Sequence, residues 1–142
     1  MNDSGHYLRA LATVVRRSAI PYGYTITIWT SGAVLEHGHA NPGVGEAYLF
    51  LLGAVGGFAA VALIASRGAP RRLEPASGDL LRTGVINALA LGLALGATAL
   101  VAMIPGVAAW PIGSFAATTV YLLVASVELA LAHAAGSASG DD

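Results

Sequence analysis

The sequence predicts an all-α membrane protein: four transmembrane helices arranged as two helical hairpins, both termini cytoplasmic, with a short amphipathic helix at the N-terminus. Composition is the first reason. Of 142 residues, 56% are hydrophobic and 11% charged, whereas a soluble domain carries about 25% charged residues. Four long apolar stretches are the second reason, and charge placement is the third. The basic residues are all arginine: Arg9, Arg16 and Arg17 precede the first apolar stretch, and Arg67, Arg71, Arg72 and Arg82 lie between the second and third. Cytoplasmic loops retain Lys and Arg while translocated loops shed them, so this bias orients the chain with both ends inside.

Residues 1–17 are expected to form the cytoplasmic N-terminal segment. Leu8, Leu11, Ala12 and Val15 recur at helical spacing with Arg9 and Arg16 on another face, the pattern of a helix lying in the membrane interface. A four-helix transmembrane domain follows over 18–135. Its first span, about 18–36, is the least hydrophobic, because Tyr22, Tyr24, Thr25, Thr27, Thr30 and Ser31 interrupt its isoleucines. That polarity implies burial against protein. Ser18 is suited to cap the helix and Pro21 to occupy its first turn, where a missing N–H is harmless. Pro21, Gly23 and the threonines also break the apolar run too often for a cleaved signal peptide, so the segment is expected to be retained.

The second span, about 45–66, contains Gly53 and Gly57, a G-x-x-x-G pair that lets helix backbones approach closely where lipid offers no hydrophobic drive. The third, about 83–105, repeats the device with Gly92 and Gly96 and ends at Pro105-Gly106. Between these spans the loop with Gly68, Pro70, Pro75 and Gly78 reads as a polar hinge between hairpins. Trp110 marks the external interface, as indoles do. The fourth span, about 113–135, leads into a Gly-Ser tail, 136–142, expected to be disordered and cytoplasmic.

Chemistry concentrates on the fourth span. Ser114, Thr118, Tyr121, Ala125 and Glu128 follow steps of four and three and fall on one stripe. Counted from Gly113, Glu128 lies about 22 Å along the helix, about two-thirds of the way across a 30 Å core. An ionised carboxylate facing lipid at that depth is costly, so Glu128 must face protein or water or be protonated. Hydroxyls that replace hydration and an acid that titrates are what a water-filled or proton-coupled path needs; a polar helix contact is the plainer reading. Asn87 and Thr98 on the third span and Thr27 and Ser31 on the first are expected along the same seam, with Asn87 placed to bond Glu128. His133 reads as an interfacial polar residue.

A second cluster, Glu36, His37, His39 and Glu46, occupies the first external connector. Imidazole nitrogen and carboxylate oxygen are ordinary ligands of zinc and other divalent ions, and histidine is the side chain that titrates nearest neutrality. The spacing matches no metal motif of defined geometry, so a solvated loop is the alternative, with Glu46 serving the second helix's N-terminus.

No cysteine is present, which excludes disulfides, thiolate metal sites and a Cys nucleophile. The spans leave no room for a soluble catalytic domain, and neither phosphate-loop, nucleophile-elbow nor zinc-protease motifs occur. Without a basic aromatic patch, nucleic acid is not an expected partner. The expected partners are the lipid bilayer, further copies of the chain, or a larger membrane complex. The expected location is an integral membrane, a bacterial inner membrane by its Ala-, Gly- and Val-rich composition. The leading expectation is a small homo-oligomeric channel or transporter for an ion or small polar solute. Its alternatives are a non-catalytic accessory subunit and an extracytoplasmic metal or pH sensor.

Overall fold

A computed structural model describes residues 3–39, 42–67 and 80–138, with side chains over 21–39, 42–67, 87–128 and at Ala130. Four helices form, α1 (Asp3–Gly38), α2 (Val44–Arg67), α3 (Leu80–Val101) and α4 (Ala109–Ala138), with no strand among the described residues. Two of them, α2 and the Ala109–Glu128 part of α4, are long and apolar enough to cross a membrane, and Asn87–Val101 of α3 is a shorter apolar helix.

Helix ends depart from the sequence expectation in four places. α1 is one continuous helix of 36 residues, so the expected separate N-terminal helix merges with the first span, and Pro21 lies inside the helix instead of in its first turn. A proline there removes one helical N–H but leaves its own carbonyl, which accepts a bond from the Thr25 hydroxyl at 2.9 Å. α4 begins at Ala109, four residues before the expected Gly113, because Pro111 falls in a first turn that needs no N–H from it. At its other end α4 continues to Ala138, so 136–138 are helical where a disordered tail was expected; 139–142 lie outside the described residues, as do 68–79 of the arginine loop. α3 ends earlier than expected, at Val101, through tight bonds from Met103 N–H to the Leu100 carbonyl (3.3 Å) and from Ile104 N–H to the Val101 carbonyl (2.9 Å). The chain then turns at Gly106, whose φ of 90° is a left-handed conformation that favours glycine.

α4 is the centre of the bundle, packing against α1, α2 and α3, while α1 also packs on α3. Register fixes the directions. Gly53 meets Pro111 and Ser114, and Gly57 meets Phe115 and Thr118, so α2 and α4 run the same way. Leu35 lies over Gly113 and Gly23 over Tyr121, so α1 and α4 run oppositely. α1 and α2, expected to form a hairpin, touch where Phe50 reaches Gly32, but each packs chiefly on other helices. An open groove of about 450 Å³ separates them, lined by Tyr24, Thr25, Ile28 and Trp29 on one side and Leu51, Ala54, Val55 and Phe58 on the other. Large side chains hold these two helices apart, whereas glycines bring α2 onto α4.

Small and hydroxylated residues fill the interior and large apolar ones cover the outside. Thr27, Ser31, Ala90, Ala94, Thr98, Ser114, Ala117, Thr118 and Tyr121 are fully buried, while Trp29, Leu52, Leu63, Leu100 and Met103 are exposed. The close α2–α4 approach gives a direct test. A Cβ at Gly57 would stand 2.8 Å from the Phe115 carbonyl oxygen, whereas one at Gly92 meets nothing. Gly57→Leu is therefore expected to lower unfolding free energy by about 2 kcal/mol, measured by denaturant unfolding in mild detergent.

Candidate functional site

The stripe on α4 is enclosed by all three neighbours: Ser114 and Thr118 lie against Gly53 and Gly57 of α2, Thr118 also meets Tyr24 of α1, and Tyr121 meets Asn87 of α3. Leu35, Ala109 and Trp110 form a buried apolar cluster at the connector end. Next along the axis, Thr98 Oγ1 lies 3.1 Å from Ser31 Oγ and 3.0 Å from the Ala94 carbonyl oxygen. A hydroxyl carries one hydrogen, so Thr98 donates to one of these at a time and Ser31 is placed to donate back. Ser114 donates to the carbonyl of Trp110 at 3.1 Å or Pro111 at 3.2 Å, and Thr27 donates to that of Gly23 at 2.8 Å. Bonding to the carbonyl one turn back is how a hydroxyl stays satisfied in an apolar helix.

Deeper still, Tyr24 and Thr118 hydroxyl oxygens are 3.4 Å apart. The Tyr121 hydroxyl donates to Asn87 Oδ1 at 2.8 Å, with the Tyr24 and Tyr121 rings 6.0 Å apart. Asn87 Oδ1 therefore meets Tyr121, a partner the sequence did not suggest; Glu128, the partner it did suggest, lies seven residues from Tyr121, two turns or about 10.5 Å of helix axis. Glu128 ends the seam, half-buried, with its Oε2 enclosed and without a hydrogen-bond partner among the described residues. A buried, unpartnered carboxylate oxygen is costly; a proton, a cation or an incoming donor relieves it. The Thr119 hydroxyl is the other enclosed oxygen lacking a partner among the described residues, and it lies against Gly57 at the α2–α4 contact.

Two members of the seam were absent from the sequence prediction. Tyr24 joins it through Thr118, and Gly23 makes room for it, since a Cβ there would collide with both Asn87 and Tyr121. Both were within reach: Gly23, Thr27 and Ser31 are spaced by four, so extending the α1 stripe back one turn includes Gly23. Of the four glycines expected at helix contacts, Gly53 and Gly57 meet α4, but Gly92 and Gly96 face open space within the chain.

The second cluster does not assemble as a metal site. Among the described residues no three His, Cys, Asp or Glu side chains gather to hold an ion. Glu36 and His37 point outward as exposed residues. Glu46 Oε2 accepts the Gly43 N–H at 2.9 Å, a reciprocal capping contact at the start of α2. His39 is committed to backbone, with Nδ1 3.2 Å from the Leu35 carbonyl oxygen and Nε2 3.0 Å from that of Ile104. Loop backbone has taken the groups that a metal would have needed. The side chain of His133 lies outside the described residues.

Comparison with protein-family models, with curated proteins and with solved structures gives no match. The Tyr121–Asn87 bond is testable on its own terms. Tyr121→Phe strips the donor from a buried acceptor and is expected to cost about 1 kcal/mol of stability, read as a lowered midpoint in unfolding, with the helical circular dichroism of the folded state unchanged.

Proposed function

We propose that this chain inserts into a membrane with both termini cytoplasmic and acts, as a homo-oligomer, in the transport of an ion or small polar solute along the α1–α3–α4 seam. The observation that carries the reading is the enclosed oxygen of Glu128, without a partner among the described residues, at the end of a line of buried hydroxyls. Ionisable residues within apolar spans are functional sites by default, since their burial is otherwise a net cost. Thr98 and Ser114, each with two acceptors in reach, can exchange hydrogen-bond partners without leaving the seam, as a polar path requires.

Several features support the membrane setting. The arginines are confined to the proposed cytoplasmic side, and Trp29, Leu100 and Met103 are at least 71% exposed on a surface otherwise rich in Leu, Val and Phe. With Trp110 at the outer boundary, Glu128 comes about 27 Å further along α4, close to the inner edge of a core about 30 Å thick. This depth is greater than the two-thirds counted from Gly113, because α4 starts earlier. Glu128 then stands as the inner mouth of the path, with the Leu35–Ala109–Trp110 cluster closing its outer end. The seam is packed shut between these points, so the proposal is a gated path that opens when α1 or α3 shifts from α4. Gly92 and Gly96, open on the outside of α3, supply the face for association between copies. A bacterial inner membrane is the proposed home.

An accessory subunit of a larger membrane complex is the second reading, favoured by the same open α3 glycines and by the unfilled groove between α1 and α2. Reconstitution separates the two. Wild-type protein in liposomes is expected to carry proton or ion flux that varies with pH, and Glu128→Gln to reduce it several-fold and flatten its pH profile while assembly is unchanged. No flux from folded wild-type protein across a broad solute panel sinks the transport reading in favour of the accessory role.

A further inference from the structure

The connector end of the bundle holds a group that the seam does not use. His39 follows the last residue of α1 and lies in a cleft of about 520 Å³ together with Glu46, Ala102, Met103, Ile104, Pro105, Gly106 and Trp110. Its Nδ1 faces the Leu35 carbonyl oxygen at 3.2 Å, within its own helix end. Its Nε2 faces the Ile104 carbonyl oxygen at 3.0 Å, across the cleft on the α3–α4 connector. Both partners are backbone carbonyls, which only accept. A neutral imidazole has a hydrogen on one nitrogen and a lone pair on the other, so it satisfies one of these contacts and turns a lone pair toward the second oxygen. The imidazolium alone donates to both.

We infer that His39 is a proton-binding site that clamps the end of α1 to the α3–α4 connector when the ring is protonated and releases it when the proton leaves. Binding adds one hydrogen ion to the free ring nitrogen and breaks no covalent bond. The surroundings suit the cation. The Leu35 carbonyl that faces it belongs to the last turn of α1, the favourable end of the helix dipole for positive charge. Trp110 lies with its ring centroid 6.3 Å away. Glu46 is the titratable group on the cleft wall from α2, the α3–α4 connector from Ala102 to Ala108 contributes none, and on α1 itself Glu36 and His37 are exposed nearby. Once the ring is neutral, one tautomer keeps the local bond to Leu35 and drops Ile104. The other keeps Ile104 while facing Leu35 with a lone pair, so the two-point clamp is lost either way.

The clamp sits directly over the Leu35–Ala109–Trp110 cluster, so it governs how firmly that end of the bundle is closed. Under the topology proposed above this end faces outward, and the sensed proton is external. The site itself stands on the donor count at His39 and not on transport through the seam.

Since the chain has no cysteine, spin labels can be placed at Ala33→Cys and Val107→Cys, two exposed positions, in the full chain in lipid nanodiscs. Lowering the pH from about 8 to about 5 spans the ordinary range of histidine. The distance distribution is expected to shorten and narrow in one step, and His39→Gln to lose that step. A distribution indifferent to pH, or a step retained in His39→Gln, overturns the clamp. Nitrogen-15 histidine NMR tests the clamp without changing His39. With His6, His37 and His133 replaced by Gln, the acid form is expected to show N–H signals, protected from exchange, on both ring nitrogens. Protection of neither or only one overturns the assignment. Neither measurement depends on flux, so failure of the clamp and failure of the transport reading are distinguishable.

Discussion

Close approach of three neighbours to α4 is the constraint on which the rest of the bundle depends. Backbones come this near where small residues line the contact: Gly53 and Gly57 of α2, Gly23 of α1 and Gly113 of α4 itself under Leu35, with Ala90 and Ala94 of α3 against Tyr121. With so little space between helices, large apolar side chains enter only at the connector end, as Leu35 and Trp110. The rest of the interior is alanine, serine, threonine and one tyrosine, and most bulky residues are displaced outward. That distribution is stable where the outside is apolar, which is why the packing and the proposed membrane setting belong together. Dispersion contacts and interhelical hydrogen bonds, not hydrophobic burial, then hold the helices.

Narrow spacing also determines the polar chemistry. Hydroxyl groups enclosed between helices must find acceptors locally, and here they use carbonyls one turn back and each other. Tyr121 reaches over Gly23 to Asn87, fixing the register of α1, α3 and α4 at one level. Glu128 sits two turns of α4 beyond Tyr121, and its Oε2 is without a hydrogen-bond partner among the described residues. In the proposed transport, this end is where an exchangeable proton or cation enters.

The opposite end is governed by backbone geometry. Once α3 stops at Val101 and the chain turns at Gly106, the Ile104 carbonyl is presented to His39, and Leu35 and Trp110 close beneath it. In the proposed clamp, a histidine held between two acceptors links the end of α1 to the position of this connector.

The amino-acid pattern by itself determined the four helices and the stripe from Ser114 to Glu128. It also determined the identity of the facing residues Thr27, Ser31, Asn87 and Thr98, because helical periodicity assigns each residue to a face. It left neighbours and register open. Which of two G-x-x-x-G pairs meets a helix within the chain, why α2 lies along α4 and leaves a groove to α1, and why Asn87 Oδ1 meets Tyr121 all depend on relative rotation and axial offset between helices. Those quantities come from side chains far apart in the chain competing for the same space. The metal-like run of Glu36, His37, His39 and Glu46 shows the same limit. Its composition is visible in a line of letters, but whether the groups point at a common ion or at carbonyls 65 residues away was decided only when α1, α2 and the α3–α4 connector came together.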